Sequence, residues 1–291
     1  MDQEKKQHQK PLTIDEQINN LKELGLVIND EKRAKELLND ISYFRLIKAY
    51  SIGLKLKNGK YDSNVSFDQI VELYMFNAAF RQLLFAEIEQ IEVNLRCRVG
   101  NYFSKKHGVF GYREASLFRS KEYFDQIIDD VEKEINRNSN SPFIRNFKDN
   151  YEPADIPFYA AVEVFSFGTL SKFFKNMKNE DKSQIARDYG IKYVFLESWF
   201  ESLSYVRNLC AHYGCLYNAK LAKTPNLYKD YKKHKIPNNK IFGILCCMKH
   251  LLPRDEDWTN FVDSIEKLFA KYPSVDKTTM GFPKDWKQVL L

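Results

Sequence analysis

The stretch SFDQIVELYMFNAAFRQLLFAEIEQIEVNLRCRVGNYFSKK, Ser66 to Lys106, decides the fold. It holds no proline and, before Gly100, no glycine. Ile70, Leu73, Tyr74, Phe80, Leu84, Ile88, Ile91, Leu95, Val99 and Tyr102 recur at helical spacing and make one broad apolar stripe. Ser66 supplies the side-chain oxygen that a helix N-terminus needs. The spacing predicts a helix over 67–106, bent near Gly100, that serves as the central strut of a bundle.

Upstream, Thr13 and Glu16 form a capping box ahead of Ile14, Ile18, Leu21 and Leu24, and Gly25 stops that helix. A second helix is expected from Asp30 through Ala34, Leu37, Leu38 and Ile41, and a third through Tyr43, Leu46, Ile47 and Tyr50. The turn-rich Lys57–Ser66 separates these helices from the long one. Downstream, helices are expected at about 121–136, 141–150, 158–166, 169–177, 180–189, 194–212, 240–251 and 256–271, the last capped by Asp255, with a short tail around Trp286. Alternating strand patterns and internal repeats are missing. The fold class is therefore all-α, a multi-helix bundle with additional N- and C-terminal helices.

Composition agrees. Among 291 residues, 44% are hydrophobic, with 22 Phe and 17 Tyr, enough for a large aromatic core. Only 11 Gly and 9 Pro argue against a turn-rich β architecture. The net charge of +6 permits a polyanionic partner without demanding one. Five cysteines without a CxxC pair fit a reducing cytoplasm better than a disulfide framework. With no signal core and no long uncharged apolar run, a soluble cytoplasmic protein is expected, with no membrane partner. We expect 1–12 to be a disordered tail, 13–60 a helical extension, 61–219 the main helical domain, and 220–291 a basic loop and C-terminal helices on the same body.

Chemistry concentrates in SYVRNLCAHYG, Ser204–Gly214, where Arg207, Asn208 and His212 close an otherwise apolar helix. Asn208 and His212 share a face, whereas a five-residue step turns Arg207 and His212 about 140° apart. Together they offer a phosphate-binding fork, an amide and a proton carrier. That set suits metal-free cleavage of RNA, in which a base takes the 2′-OH proton, an acid protonates the leaving 5′-oxygen, and Arg steadies the charge on phosphorus. One His carries one proton, so a two-fold dimer would complete the site. The same residues also read as an ordinary helix tail, with His favouring the dipole and Arg paired to Glu197 or Glu201.

Five blocks in order carry a resemblance. ISYFRLIKAY (Ile41–Tyr50), FRQLLFAEIEQIEVNLRCRV (Phe80–Val99), EVFSFGTLSKFF (Glu163–Phe174), SWFESLSYVRNLCAHYGCLYN (Ser198–Asn218) and MGFPKDW (Met280–Trp286) resemble abortive-infection proteins of the AbiD/AbiF type, a bacterial phage-defence family. The resemblance covers nearly the whole chain and implies a HEPN-like helical fold, whose R-x4-6-H motif acts in dimeric, metal-independent RNases. It implies Arg207 as phosphate ligand, His212 as acid or base and Asn208 as the polar residue after the Arg, with no cofactor and no metal. It also implies a homodimer, an RNA substrate, and control by a noncoding RNA or another partner. A non-catalytic RNA-binding or scaffold protein on the same fold is the alternative.

Two further groups are candidates. On the long helix, Glu87, Glu89, Glu92, Arg96 and Arg98 form either a solvated charged face or a support for the site. Glu92 and Arg96, four apart, are the pair expected to reach Arg207 or His212. After the motif, KLAKTPNLYKDYKKHKIPNNK (Lys220–Lys240) carries Lys220, Lys223, Lys229, Lys232, Lys233 and Lys235 with Tyr228 and Tyr231. It is either a solvated loop or an RNA track whose tyrosines stack on bases. Lys172, Lys175 and Lys178 add a basic helix face. Cys210, His212, Cys215, Cys247 and His250 have no zinc-site spacing.

Overall fold

The computed structural model describes residues 10–252 and 255–291. Residues 1–9 of the tail expected over 1–12, and the capping side chain expected at Asp255, lie outside the described residues. Among the described residues all regular elements are helical, and β pairing is limited to isolated bridges such as Phe118 with Met177. The chain divides into two compact units, 1–79 with 268–276, and 80–267 with 277–291.

In the first unit, α1 (Ile14–Glu23) opens on the expected capping box. The Glu16 N–H donates to Thr13 Oγ1 at 3.3 Å, and the Thr13 N–H to the Glu16 carboxylate at 2.7 Å. Asp30 caps α2 (Glu31–Asp40) by accepting the Arg33 N–H at 2.9 Å. Ile18 and Leu21 are buried where α1 packs on α2, as are Ala34 and Leu38 on the facing helix. The third helix differs from expectation, because Phe44–Lys48 winds as a π turn. Adjacent Leu46 and Ile47 are both buried there, and Phe44 is left exposed. The long helix, α3 (Phe67–His107), begins in this unit, where Ser66 Oγ accepts the Gln69 N–H at 3.1 Å. Residues 61–79, expected with the following domain, cluster here, and Phe76 stacks on Phe269 with centroids 5.4 Å apart.

In the second unit α3 runs unbroken through Gly100. The lack of a side chain there serves close approach, since a Cβ would stand 3.0 Å from Val162 Cγ1. The helices that follow are α4 (Lys121–Arg137), α5 (Pro142–Asn150), α6 (Phe158–Ala161), α7 (Phe167–Asn176), α8 (Asn179–Arg187) and α9 (Tyr193–Ala211). After them come α10 (Lys229–Lys233), α11 (Ile241–Met248), α12 (Asp255–Lys271) and α13 (Trp286–Leu290). The helix expected over 158–166 ends early, in a 3-10 turn at Val162–Val164. Ser166 is taken by the next helix: its Oγ accepts the Thr169 N–H at 3.1 Å, and its own N–H goes to buried Glu134. α10 falls in the segment expected to be a loop.

The core is aromatic. Phe103 of α3 meets Phe118, Phe158 and Phe173 at centroid distances of 5.6, 5.1 and 5.1 Å. α9 packs on α7, α8 and α11 through Leu196, Trp199, Phe200, Leu203, Val206 and Cys210, and Phe200 stacks on Phe174 at 4.9 Å. Each such side chain contributes about 2 kcal/mol through burial, so the last turn of α9 is fixed along its length. Among the described residues no helix is long and apolar enough to cross a membrane.

Candidate active site

Helix spacing on α3 sets out the bed of the site. Arg81, Phe85, Glu92 and Arg96 fall within about 60° of one another around a helix of 3.6 residues per turn. Arg81, Glu92 and Arg96 are all buried. Arg96 Nη2 donates to Glu92 Oε1 at 2.8 Å, and Arg96 Nη1 donates to the Val162 carbonyl. The other Glu92 oxygen faces Arg207 Nε of α9 at 3.3 Å. The angle there falls short of a hydrogen bond, so this Nε is buried without an acceptor and is held by charge. The Arg207 guanidinium also lies over the Phe85 ring, 5.5 Å from its centroid. A buried carboxylate between two guanidinium groups thus ties α9 to α3. Arg207 itself remains 34% exposed, and among the described residues its Nη groups have no hydrogen-bond partner.

The end of α9 is built as a Schellman turn. The His212 N–H donates to the Asn208 carbonyl at 2.9 Å, the Tyr213 N–H to Cys210 at 3.4 Å and the Gly214 N–H to Leu209 at 2.7 Å. The left-handed position, where glycine is usual, is held by Tyr213 at φ 60°. Gly214 is required for a different reason: a Cβ there would stand 3.0 Å from both the Leu209 carbonyl oxygen and Leu209 Cδ2. The sequence suggests a glycine stop, and the stop is in fact a strained tyrosine followed by a glycine with no room for a side chain. Asn208 and His212 are exposed, four residues apart on one face, and among the described residues neither side chain has a hydrogen-bond partner. The Asn208 amide is therefore open to a bound substrate and is not tied to Arg207 or His212.

A sequence model of the Abi-like protein family matches residues 36–218, more than half of the chain. The chain belongs to the Abi-like protein family. Neither a curated protein nor a solved structure matches it. Membership points to involvement in abortive-infection phage defence. The matched stretch of this Abi-like protein takes in the α3 bed, α9 and the Tyr213 turn, and it ends just before the lysine-rich segment.

In that segment Lys220, Lys229, Lys232 and Lys235 are exposed with no ion-pair partner among the described residues. Lys223 is paired with Glu201 at 2.7 Å and Lys233 with Asp230 at 2.8 Å. The tyrosines are packed on their inner sides. Tyr228 packs against Phe195, Trp199 and His250 at 4.5, 5.5 and 5.1 Å, and the Tyr231 hydroxyl is 2.9 Å from His250 Nε2. Burial raises both phenols and lowers the His250 imidazole. In this arrangement both rings are half-buried and anchor α10. Lys172 and Lys175 are likewise engaged, with Asp130 at 2.7 Å and Glu201 at 3.6 Å.

Cys210 and Cys247 are buried and structural. Burial pushes the Cys210 thiol up to about 12, far from a reactive thiolate, and holds Cys247 well above its usual value. Among the described residues no group of His, Cys, Asp and Glu could hold a metal. Two residues at this Abi-like site escape sequence reading, Arg81 and Phe85. Their spacing to Glu92 on one helix face is the signal that could have found them.

Proposed function

We propose that this Abi-like protein is a metal-independent endoribonuclease of the HEPN type that acts in phage defence. His212 is the proton carrier, Arg207 the charge stabiliser and Asn208 the positioning group, with Glu92 and Arg96 behind them. The RNA 2′-oxygen gives its proton to one His212 and attacks the adjacent phosphorus. The P–O5′ bond breaks, and the departing 5′-oxygen takes a proton from the His212 of a second copy. The products are a 2′,3′-cyclic phosphate and a 5′-OH. Lys220, Lys229, Lys232 and Lys235 neutralise backbone phosphates, and a noncoding RNA or another partner keeps the activity in check.

One observation carries this reading: Arg207 is gripped at Nε by buried Glu92, while its outer nitrogens remain unengaged among the described residues, on the same helix end as an exposed His212. A fork held at its root and open at its tip suits a phosphate. The reading is tested with purified protein, total RNA and EDTA, scoring cleavage and the chemistry of the new ends. Cyclic-phosphate ends in the wild type, reduced about 100-fold or more in His212→Ala and lost in Arg207→Ala, support it. Binding without cleavage, or cleavage unchanged in His212→Ala, overturns it.

A further inference from the structure

We propose that Arg81 is a positioning residue for His212, an inference that rests on the reading of His212 as proton carrier. Arg81 lies on α3, 8% exposed, and its Nη1 donates to the Cys210 carbonyl at 3.3 Å, across 129 residues of sequence. Its guanidinium also lies over the Tyr213 ring, 5.5 Å from the centroid. These two contacts straddle His212, one just before it and one just after it. The Cys210 carbonyl already receives the Tyr213 N–H, so Arg81 adds a cation to the carbonyl end of the helix, where the dipole favours positive charge.

Packing alone does not account for this arginine. Its Nε is buried with no hydrogen-bond partner, and a methionine would fill the space without burying an unpaired N–H. Tyr213 shows the same pattern, since it holds a left-handed backbone that glycine would adopt without strain. Both unfavourable choices meet at one contact, and that contact fixes the turn carrying His212. Such local strain concentrates where a side chain must be aimed. The α3 face therefore acts on the site twice: Glu92 orients the phosphate ligand and Arg81 orients the proton carrier.

The test compares wild type, Arg81→Met, Tyr213→Gly and the double variant. The expected result is a kcat for RNA cleavage lowered about 10- to 100-fold in each single variant, with KM within about threefold. The double variant should be no worse than the poorer single one, because both break the same grip. Tyr213→Gly should retain or raise thermal stability, so its loss of rate cannot come from a weaker fold. Amide hydrogen exchange supplies a readout independent of cleavage: the His212, Tyr213 and Gly214 amides should exchange faster in Arg81→Met while Leu203 and Val206 stay protected. Unchanged exchange at 212–214, or additive losses in kcat, overturns the proposal. If the wild type cleaves no RNA, the nuclease reading fails and this proposal falls with it, whereas the exchange data still tell whether Arg81 holds the turn. Should Arg81→Met fail to fold, Tyr213→Gly decides: an unchanged kcat overturns the proposal.

Discussion

Glu92 Oε2 and Arg207 Nε stand 3.3 Å apart, joining two helices through residues more than a hundred positions apart in sequence. The other oxygen of the same carboxylate holds Arg96, itself nearly buried. Removing the carboxylate in Glu92→Ala would leave the Arg96 charge buried without its partner, a change that costs about 3 kcal/mol. The double variant Glu92→Ala, Arg96→Met should recover most of that loss in urea denaturation. Neither variant should restore RNA cleavage, since both leave Arg207 unanchored.

The lysines after α9 should not contribute equally to RNA binding. Lys229, Lys232 and Lys235 have no carboxylate partner among the described residues, whereas Lys223 and Lys233 do. The triple change of the first three to alanine should lower the slope of log affinity against log salt by about 2 on single-stranded RNA. Changing Lys223 and Lys233 should alter it less per residue, because counterions released by RNA are partly replaced already. Fluorescence anisotropy across a salt series measures both.

Asp181 sets an acid limit on stability. Burial would raise its carboxyl, but hydrogen bonds from Lys106, His107 and Tyr102 outweigh burial and hold it below the usual carboxylate range. The unfolded chain therefore binds this proton at a higher pH than the folded one. The contribution to stability is present above the unfolded pKa, near 4, and is lost as pH falls through the lowered folded value. In Asp181→Asn, stability at pH 7 should fall by about 2 kcal/mol and the acid limb of the curve should flatten. Guanidinium denaturation between pH 2.5 and 7 reads both effects.

Lys182 gives an asymmetric pair. Its side chain is 0% exposed and is neutralised by Glu197, and burial lowers the ammonium pKa in spite of that partner. Glu197→Ala strands the cation and should destabilise the protein by about 3 kcal/mol. Lys182→Met removes the cation instead and leaves Glu197, which can reach water, so the loss should be about 1 kcal/mol or less. Thermal and urea unfolding of the two variants should rank them in that order.

Long periodic helices and their caps were legible because their causes are local. Thr13 and Glu16 lie three apart, and the stripe from Ile70 to Tyr102 repeats every turn. Glu92 and Arg96 could be singled out by the same arithmetic. Other features depend on contacts between distant residues. Nothing in YKDYKK shows that a short helix forms there, with Tyr228 against Trp199 and both tyrosines against His250. Arg81 on an apolar stripe resembles an arginine whose head reaches water, and its acceptor lies 129 residues away. The left-handed Tyr213 hides beside Gly214, the residue type that ordinarily takes such a turn.

The cluster around Trp199 has an optical consequence. Its indole is stacked on His250 at 5.6 Å, edged by Tyr228 at 5.5 Å, and its Nε1–H donates to the Asn226 carbonyl at 2.7 Å. All three neighbours belong to the lysine-rich segment or the helix end that closes over it. An RNA that pulled that segment away would free the indole from its neighbours, raising its emission and moving it to longer wavelength. The protein thus carries a native fluorophore at the point where binding by ring release would differ from binding by lysines alone, and Trp199→Phe would identify the source of the signal.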